Sequence, residues 1–331
     1  MTASMIEFPV TAERIRQDCP ADKFRLITRS DMDGLVCGTL LKELGLINQI
    51  EFVHPKDMQD GKIAVSKSDI STNLPYVPGI YAAFDHHESE DKRVTHKPGN
   101  HIINVNAPSA ARVVYDFFDG KKTLPRVSDA MMLAVDKADA ARFTREDVLN
   151  AKGWELLSFL MDARTGLGRF RDFRVSNYQL MMMLIDACRN HTSIEDILAL
   201  PDVAERVELY HKHEALSRDQ IQRCTRLEGP LAILDLRNEE TIYASNRFMI
   251  YALFPKASIS CHVMWGRDKK NTVLAFGKSI FDRSNATHVG DLMLEYGGGG
   301  HAGAGTCQVD NDKADAALAA MTARIARDAA A

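Results

Sequence analysis

The sequence predicts an α/β protein: an N-terminal domain on a doubly wound, mainly parallel sheet, and a smaller C-terminal α/β domain, joined by a helical linker. Three observations predict it. Strand-like and helix-like segments alternate through the first half of the chain, the order that builds a parallel sheet. Residues 202–227 are charged, carry apolar residues at intervals and contain no Gly or Pro, as a connecting helix does. Strand and helix patterns then resume at Leu231. The expected boundaries are 1–195, 196–228 and 229–331.

Length and composition agree. A chain of 331 residues holds roughly two domains of ~150 residues each. With 45% hydrophobic and 26% charged residues, a disordered or low-complexity chain is excluded. Lys and Arg number 41 against 45 Asp and Glu, a net charge of −4. That excludes a general DNA-coating protein, so contacts with phosphate must come from a local patch or a bound cation. The six cysteines stand singly with no CxxC pair, which suggests neither a zinc knuckle nor a disulfide framework. They read as reduced thiols of a cytoplasmic protein. The N-terminal stretch lacks a basic flank followed by an apolar run, so no signal peptide is expected. The apolar run Leu180 to Ile185 is too short to span a membrane.

The elements follow in order. Phe24 to Ser30 reads as a strand running into Asp31-Met32-Asp33-Gly34 and then a helix that Gly45 ends. Ile50 to His54 and Lys62 to Ser66 read as strands. Gly79 to Phe84 is an apolar strand that stops at Asp85-His86-His87. Pro108 opens a helix closed by Gly120, and Arg126 to Ala141 is another. Beyond the linker come strands at Leu231 to Leu236, Ser258 to Trp265 and Thr272 to Ser279, helices near Arg247 to Phe254 and Val289 to Tyr296, a glycine loop, a short strand and an Ala-rich helix. Ligands of such parallel sheets sit outside the carboxyl ends of the strands, where both Asp31/Asp33 and Asp85/His86/His87 fall.

Carboxylates at i and i+2 can turn toward one point and repel unless a cation neutralises them. The bland alternative is that one caps the following helix. Asp85-His86-His87-Glu88 sets imidazoles beside carboxylates, a donor set that suits Mn, Fe, Co or Zn. Asp69 and Asp139, each unremarkable alone, can join. Asp31, Asp33, Asp69, His86, His87 and Asp139 suffice for two cations bridged by one carboxylate, and such a pair activates water and neutralises a transferring phosphoryl group. Near the C-terminus, six glycines fall within Gly297–Gly305 around His301. Gly298, Gly299 and Gly300 allow successive N–H groups to form an anion nest, whereas a simple turn needs fewer glycines. No Lys-Ser/Thr follows, so it is not a Walker loop. Lys278 and Arg283, just before it, are candidates for anion contact. Arg169, Arg171 and Arg174 interleave with Phe170 and Phe173. That can make a single-strand stacking surface, though a solvated basic face is the commoner outcome.

These motifs, in this order from about residue 24 to 309, resemble the DHH phosphoesterase superfamily with its DHH-associated C-terminal domain: a DxD after the first strand, Asp69, a literal Asp-His-His, Asp139 and GGGGH. The superfamily includes RecJ-like exonucleases, nano-RNases, cyclic-dinucleotide phosphodiesterases, exopolyphosphatases and manganese pyrophosphatases. The resemblance implies that Asp31 holds one metal and Asp33 the other, that Asp69 bridges them, and that His86 and Asp139 complete the second site. It implies that His87 contacts the scissile phosphate or the attacking water, that Asp85 orients the imidazoles, and that Arg283, His301 and the glycine loop hold the substrate's terminal phosphate or nucleotide. One departure stands out. The family places a His shortly before the DxD, and here Ile27-Thr28-Arg29-Ser30 stand there. Arg29 repels a metal and is read instead as a phosphate clamp. Asp136 is an alternative to Asp139.

The expected function is a metal-dependent phosphoesterase using one or two Mn²⁺ ions, with Mg²⁺ or Co²⁺ as substitutes. It acts in exo fashion on short oligonucleotides or small nucleotides, without a membrane partner. A homodimer is compatible with the sequence. Two other readings compete: an exopolyphosphatase, and a non-catalytic nucleotide-binding module.

Overall fold

The computed structural model describes residues 9–330; part of the N-terminal stretch read above for a leader lies outside the described residues. The chain divides into two compact units. The first runs to Arg142 and adds Lys152–Ala163 and Gly168–Val207; the second holds Phe143–Ala151, Arg164–Leu167 and the chain from Glu208 on. The long helix Pro201–Cys224 begins in the first unit, and its residues from Glu208 belong to the second. The expected 196–228 stretch is therefore shared out between the units. Among the described residues no helix is long and apolar enough to cross a membrane.

The first unit is built on β1 (Phe24–Thr28), β2 (Ile47–Phe52), β3 (Asp69–Thr72), β4 (Ala82–Asp85) and β5 (His101–Ile103), all parallel in the order β2-β1-β3-β4-β5. The order reverses beside β1, which makes a crevice at the carboxyl ends of β1 and β3. β1 and β4 are apolar on both faces, as strands covered from both sides must be: Phe24, Leu26, Ile27 and Phe84 are fully buried. β3 is different. All four of its residues are buried although three are polar. Its Thr72 is tied sideways into β1: Thr72 Oγ1 donates to Thr28 Oγ1 at 2.8 Å, and Thr28 Oγ1 donates to the Thr72 carbonyl at 3.1 Å.

The strand expected at Lys62–Ser66 does not form. Side chains take that backbone instead. Arg25 Nη2 donates to the Ala64 carbonyl, and the Ser66 N–H donates to Asp69 Oδ2, local bonds that compete with a ladder. The strand starts at Asp69, after that segment.

The helix Met32–Glu43 follows β1. Asp31 caps it by accepting the Gly34 N–H at 3.0 Å. Every residue from Met32 to Leu41 is buried, and the helix packs against the Ala110–Phe117 and Asn177–Arg189 helices. Gly34 is required by close approach: a Cβ there would lie 1.9 Å from the Arg29 carbonyl oxygen.

The second unit carries β6 (Thr225–Glu228), β7 (Leu231–Asp235), β8 (Ile259–Trp265), β9 (Thr272–Lys278), β10 (Gly299–His301) and β11 (Ala304–Val309), in the order β10-β11-β9-β8-β7-β6. Only β7 and β8 run parallel. β6, unforeseen from sequence, is the largely exposed edge segment TRLE, whose charges hide a strand pattern. Leu231, Ile233, Ile259 and Phe276 pack with Met293 and Ile325 from the Val289–Leu294 and Ala314–Ala330 helices. Burying each such side chain contributes roughly 1.5–3 kcal/mol.

A candidate metal centre at the carboxyl edge of the parallel sheet

Three side chains converge at the switch point. Asp33 lies in the first turn of the helix after β1, His86 follows β4 directly, and Asp139 is the last residue of the Asp129–Asp139 helix. One ligand atom from each lies within 4.8 Å of the others. Among the described residues these three form the group of acidic and imidazole side chains able to hold a metal ion.

Each is held in place. The two oxygens of Asp33 accept the backbone N–H groups of Ala110 (3.0 Å) and Ala111 (2.7 Å) at the start of the Ala110–Phe117 helix. His86 Nδ1 lies 3.1 Å from the Ala107 carbonyl. That contact makes Nδ1 the donor and turns Nε2 toward the cluster as the ligand atom. His86 Nε2 is 2.8 Å from Asp139 Oδ2, an ion-pair distance without the alignment of a hydrogen bond. Burial, then the charge of Asp139, raises Asp33 to about 8. Burial works against a charged His86, but Asp139 and Asp33 outweigh it and lift the imidazole to about 9. Burial likewise opposes ionisation of Asp139, yet His86 prevails and holds it below the usual carboxylate range. Without an ion the cluster therefore holds protons on Asp33 and His86 near neutral pH, and a divalent cation is the partner that takes their place. Two carboxylates and an imidazole fit such an ion.

Asp85 and His87 stand beside it. Asp85 is fully buried, and its Oδ1 receives three groups: the His86 N–H at 2.8 Å, the His87 N–H at 3.3 Å and His87 Nδ1 at 2.7 Å. Burial depresses His87, but Asp85 overcomes it and holds the imidazole above its ordinary value.

Asp31 and Asp69 do not join the three. Asp31 is the helix cap; its Oδ1 takes the Gly34 N–H and Asn73 Nδ2 (3.4 Å), and its Oδ2 lies 3.2 Å from Arg29 Nε. Asp69 is a correction. It begins β3 rather than ending it, so it lies at the opposite edge of the sheet, about 13 Å along the strand from Asn73. There it pairs with Arg25 at 2.8 Å, which also holds Glu51. The residue that leaves the carboxyl end of β3 is Asn73, buried and in the left-handed region with φ 56°. Asp69→Asn is therefore expected to lower stability by about 1.5–3 kcal/mol, through weakened charged hydrogen bonds, and to leave kcat within a few-fold of wild type. Denaturant unfolding and steady-state kinetics check this. Asp136 is not a ligand either; it accepts from Ser109 Oγ at 2.8 Å and pairs with Arg112 at 2.6 Å.

In the second unit, the glycines have a packing explanation. Gly300 pairs with Gly305 in the β10–β11 hairpin. A Cβ on Gly300 would lie 2.4 Å from the Gly305 Cα, and one on Gly298 would lie 2.3 Å from the Thr306 carbonyl oxygen. Gly299 faces open space. His301 is exposed, and its Nδ1 accepts the Gly303 N–H at 3.2 Å. Lys278 Nζ donates to the Asn285 carbonyl at 2.7 Å, fastening the loop that carries Arg283. The Arg169–Arg174 stretch is tied down at its end. Phe173 stacks on the buried Arg206 at 4.1 Å, and the Arg174 N–H donates to Glu205. Sequence reasoning missed Asn73, which hides in a polar strand, and the Ala110 and Ala111 N–H donors, whose only signal was a helix start after Pro108.

No protein-family model matches the chain, and no curated protein matches it. Among solved structures it is similar to the pGpG-specific phosphodiesterase PggH of Vibrio cholerae, at 59% identity over 92% of this chain and 100% of that one, with a TM-score of 0.80. CDC45 of Entamoeba histolytica shares the fold at 9% identity, over 95% of this chain and 97% of that one, with a TM-score of 0.55. The parallel sheet, its carboxylate–imidazole edge and the near-complete match at high identity define the class, a hydrolase acting on phosphate ester bonds. The chain belongs to the DHH phosphoesterase superfamily.

Proposed function

We propose that the chain is a divalent-metal-dependent phosphodiesterase that hydrolyses short linear oligonucleotides, with the dinucleotide pGpG as its preferred substrate. The observation that carries this reading is the convergence of Asp33, His86 and Asp139 within 4.8 Å at the sheet's switch point. The 59% identity to an enzyme named for pGpG supports the substrate. Asp33, His86 and Asp139 would hold the ion, a transition metal by the donor set and Mn²⁺ in this proposal, which when bound would neutralise phosphate charge and acidify a water.

The remaining work falls to the chain. His87 Nδ1 is committed to Asp85, so Nε2 is the atom free to exchange a proton. With Nε2 unprotonated, His87 takes a proton from the attacking water as its oxygen bonds to phosphorus. The internucleotide P–O bond breaks, and the departing oxygen gains a proton. One water is consumed and two mononucleotides leave. Arg29 stabilises charge on the phosphate. In the second unit, Arg283, His301 and the open face at Gly299 are proposed as anion contacts. Six free cysteines, four of them buried, accord with a cytoplasmic enzyme.

A panel with Mn²⁺ tests this: pGpG, adenosine bisphosphate and polyphosphate. The expected result is pGpG turned over at least tenfold faster than either, with all activity lost on chelation. Polyphosphate as the fastest substrate, or activity that survives chelation, would contradict it.

A further inference from the structure

The carboxyl end of β3, where a carboxylate bridging to a second cation would be sought, carries none. A two-ion centre needs an anionic oxygen donor shared between the ions. At the carboxyl end of β3, beside Asp31, the side chain is the neutral amide of Asn73, 1% exposed. Its Nδ2 points to Asp31 and its Oδ1 has no hydrogen-bond partner. Asp31 is already shared among a helix N–H, that amide and Arg29. The local positive charge is Arg29. Its Nε lies 3.2 Å from Asp31 Oδ2. Its two Nη groups make no hydrogen bond among the described residues, and its side chain is 31% exposed. A guanidinium anchored through Nε with its outer nitrogens open presents two donors with the spacing of two phosphate oxygens.

We propose that this centre works with a single divalent cation, held by Asp33, His86 and Asp139, and that Arg29 takes the place of a second one by gripping the oxygens of the scissile phosphate. This rests on the phosphodiesterase reading above. It makes Arg29 a catalytic residue and gives the buried Asn73 oxygen a role as a neutral acceptor toward substrate or water at the same spot. A guanidinium has a fixed charge and needs no loading.

The test counts ions and measures turnover separately. Wild type, Arg29→Gln and Arg29→Lys are saturated with Mn²⁺ and weighed by native mass spectrometry, with elemental analysis as a check. The kinetics of pGpG hydrolysis are then measured on the same samples. The expected result is one ion per chain in all three. At that constant count kcat falls about 10²–10³-fold for Gln, the range for losing one preorganised charge donor, with Lys in between because it keeps the charge without the fork. Two ions in wild type would overturn the single-cation proposal. One ion throughout with unchanged kcat would overturn the part assigned to Arg29. If the Gln variant does not fold, the comparison of Lys with wild type still decides. No ion in wild type would instead sink the metal-dependent reading on which the proposal stands.

Discussion

His86→Ala and Asp139→Ala are each expected to cut kcat on pGpG by about 10³-fold or more, and to abolish high-affinity binding of Mn²⁺, while the chain still unfolds cooperatively. The size follows from what is removed. Each supplies one of the three ligand atoms that converge among the described residues, and the proposed ion would stabilise transition-state charge by several kcal/mol, with each 1.36 kcal/mol worth about tenfold in rate. The fold should survive because both residues sit at the ends of elements. His86 follows β4, and Asp139 closes its helix. Neither side chain is part of the apolar core. Calorimetric titration with Mn²⁺, a thermal melt and steady-state kinetics on the same preparations check the three parts. Activity within tenfold of wild type in either variant would remove that residue from the centre.

Asp85→Asn should be nearly as damaging, for a different reason. Asp85 touches no ion in the proposed arrangement, but its Oδ1 gathers the His86 and His87 N–H groups and His87 Nδ1. An amide can present a donor where the carboxylate only accepts. A donor aimed at His87 Nδ1 forces the imidazole into the other tautomer, with the proton on Nε2. The His87 base is then lost even though every side chain is in place. A loss of about 10²–10⁴-fold in kcat is expected from such a tautomer error, with KM and the count of bound Mn²⁺ little changed. The pH profile separates this from a packing defect: the acidic limb of kcat/KM, where the His87 base becomes protonated, should shift or vanish, which a merely destabilised protein would not show.

Much of this was legible in the sequence, and the failures have a common cause. The parallel sheet could be read because β1 and β4 are apolar on both faces and each stops at a cluster of charged residues. The Asp33, His86 and Asp139 positions follow from those stops and from the end of one amphipathic helix. β3 could not be read. Its stability comes from hydroxyl bonds between Thr72 and Thr28, contacts between residues 44 apart in sequence that leave no hydrophobic pattern. The apolar alternation of Ile63 and Val65 pointed to a strand that side-chain bonds at Ala64 and Ser66 prevent. That error carried Asp69 to the wrong edge of the sheet and left Asn73 unseen. The glycine run was legible as a demand for close backbone approach, but the approaching backbone is the chain's own hairpin.

The most direct measurement is an anomalous difference map from a crystal soaked in Mn²⁺ and collected at the manganese edge. The expected result is one peak, bonded to Asp33, His86 and Asp139, with the Arg29 guanidinium beside it. A map without density at those three side chains, or with its strongest peak elsewhere in the chain, would contradict the assignment of this centre.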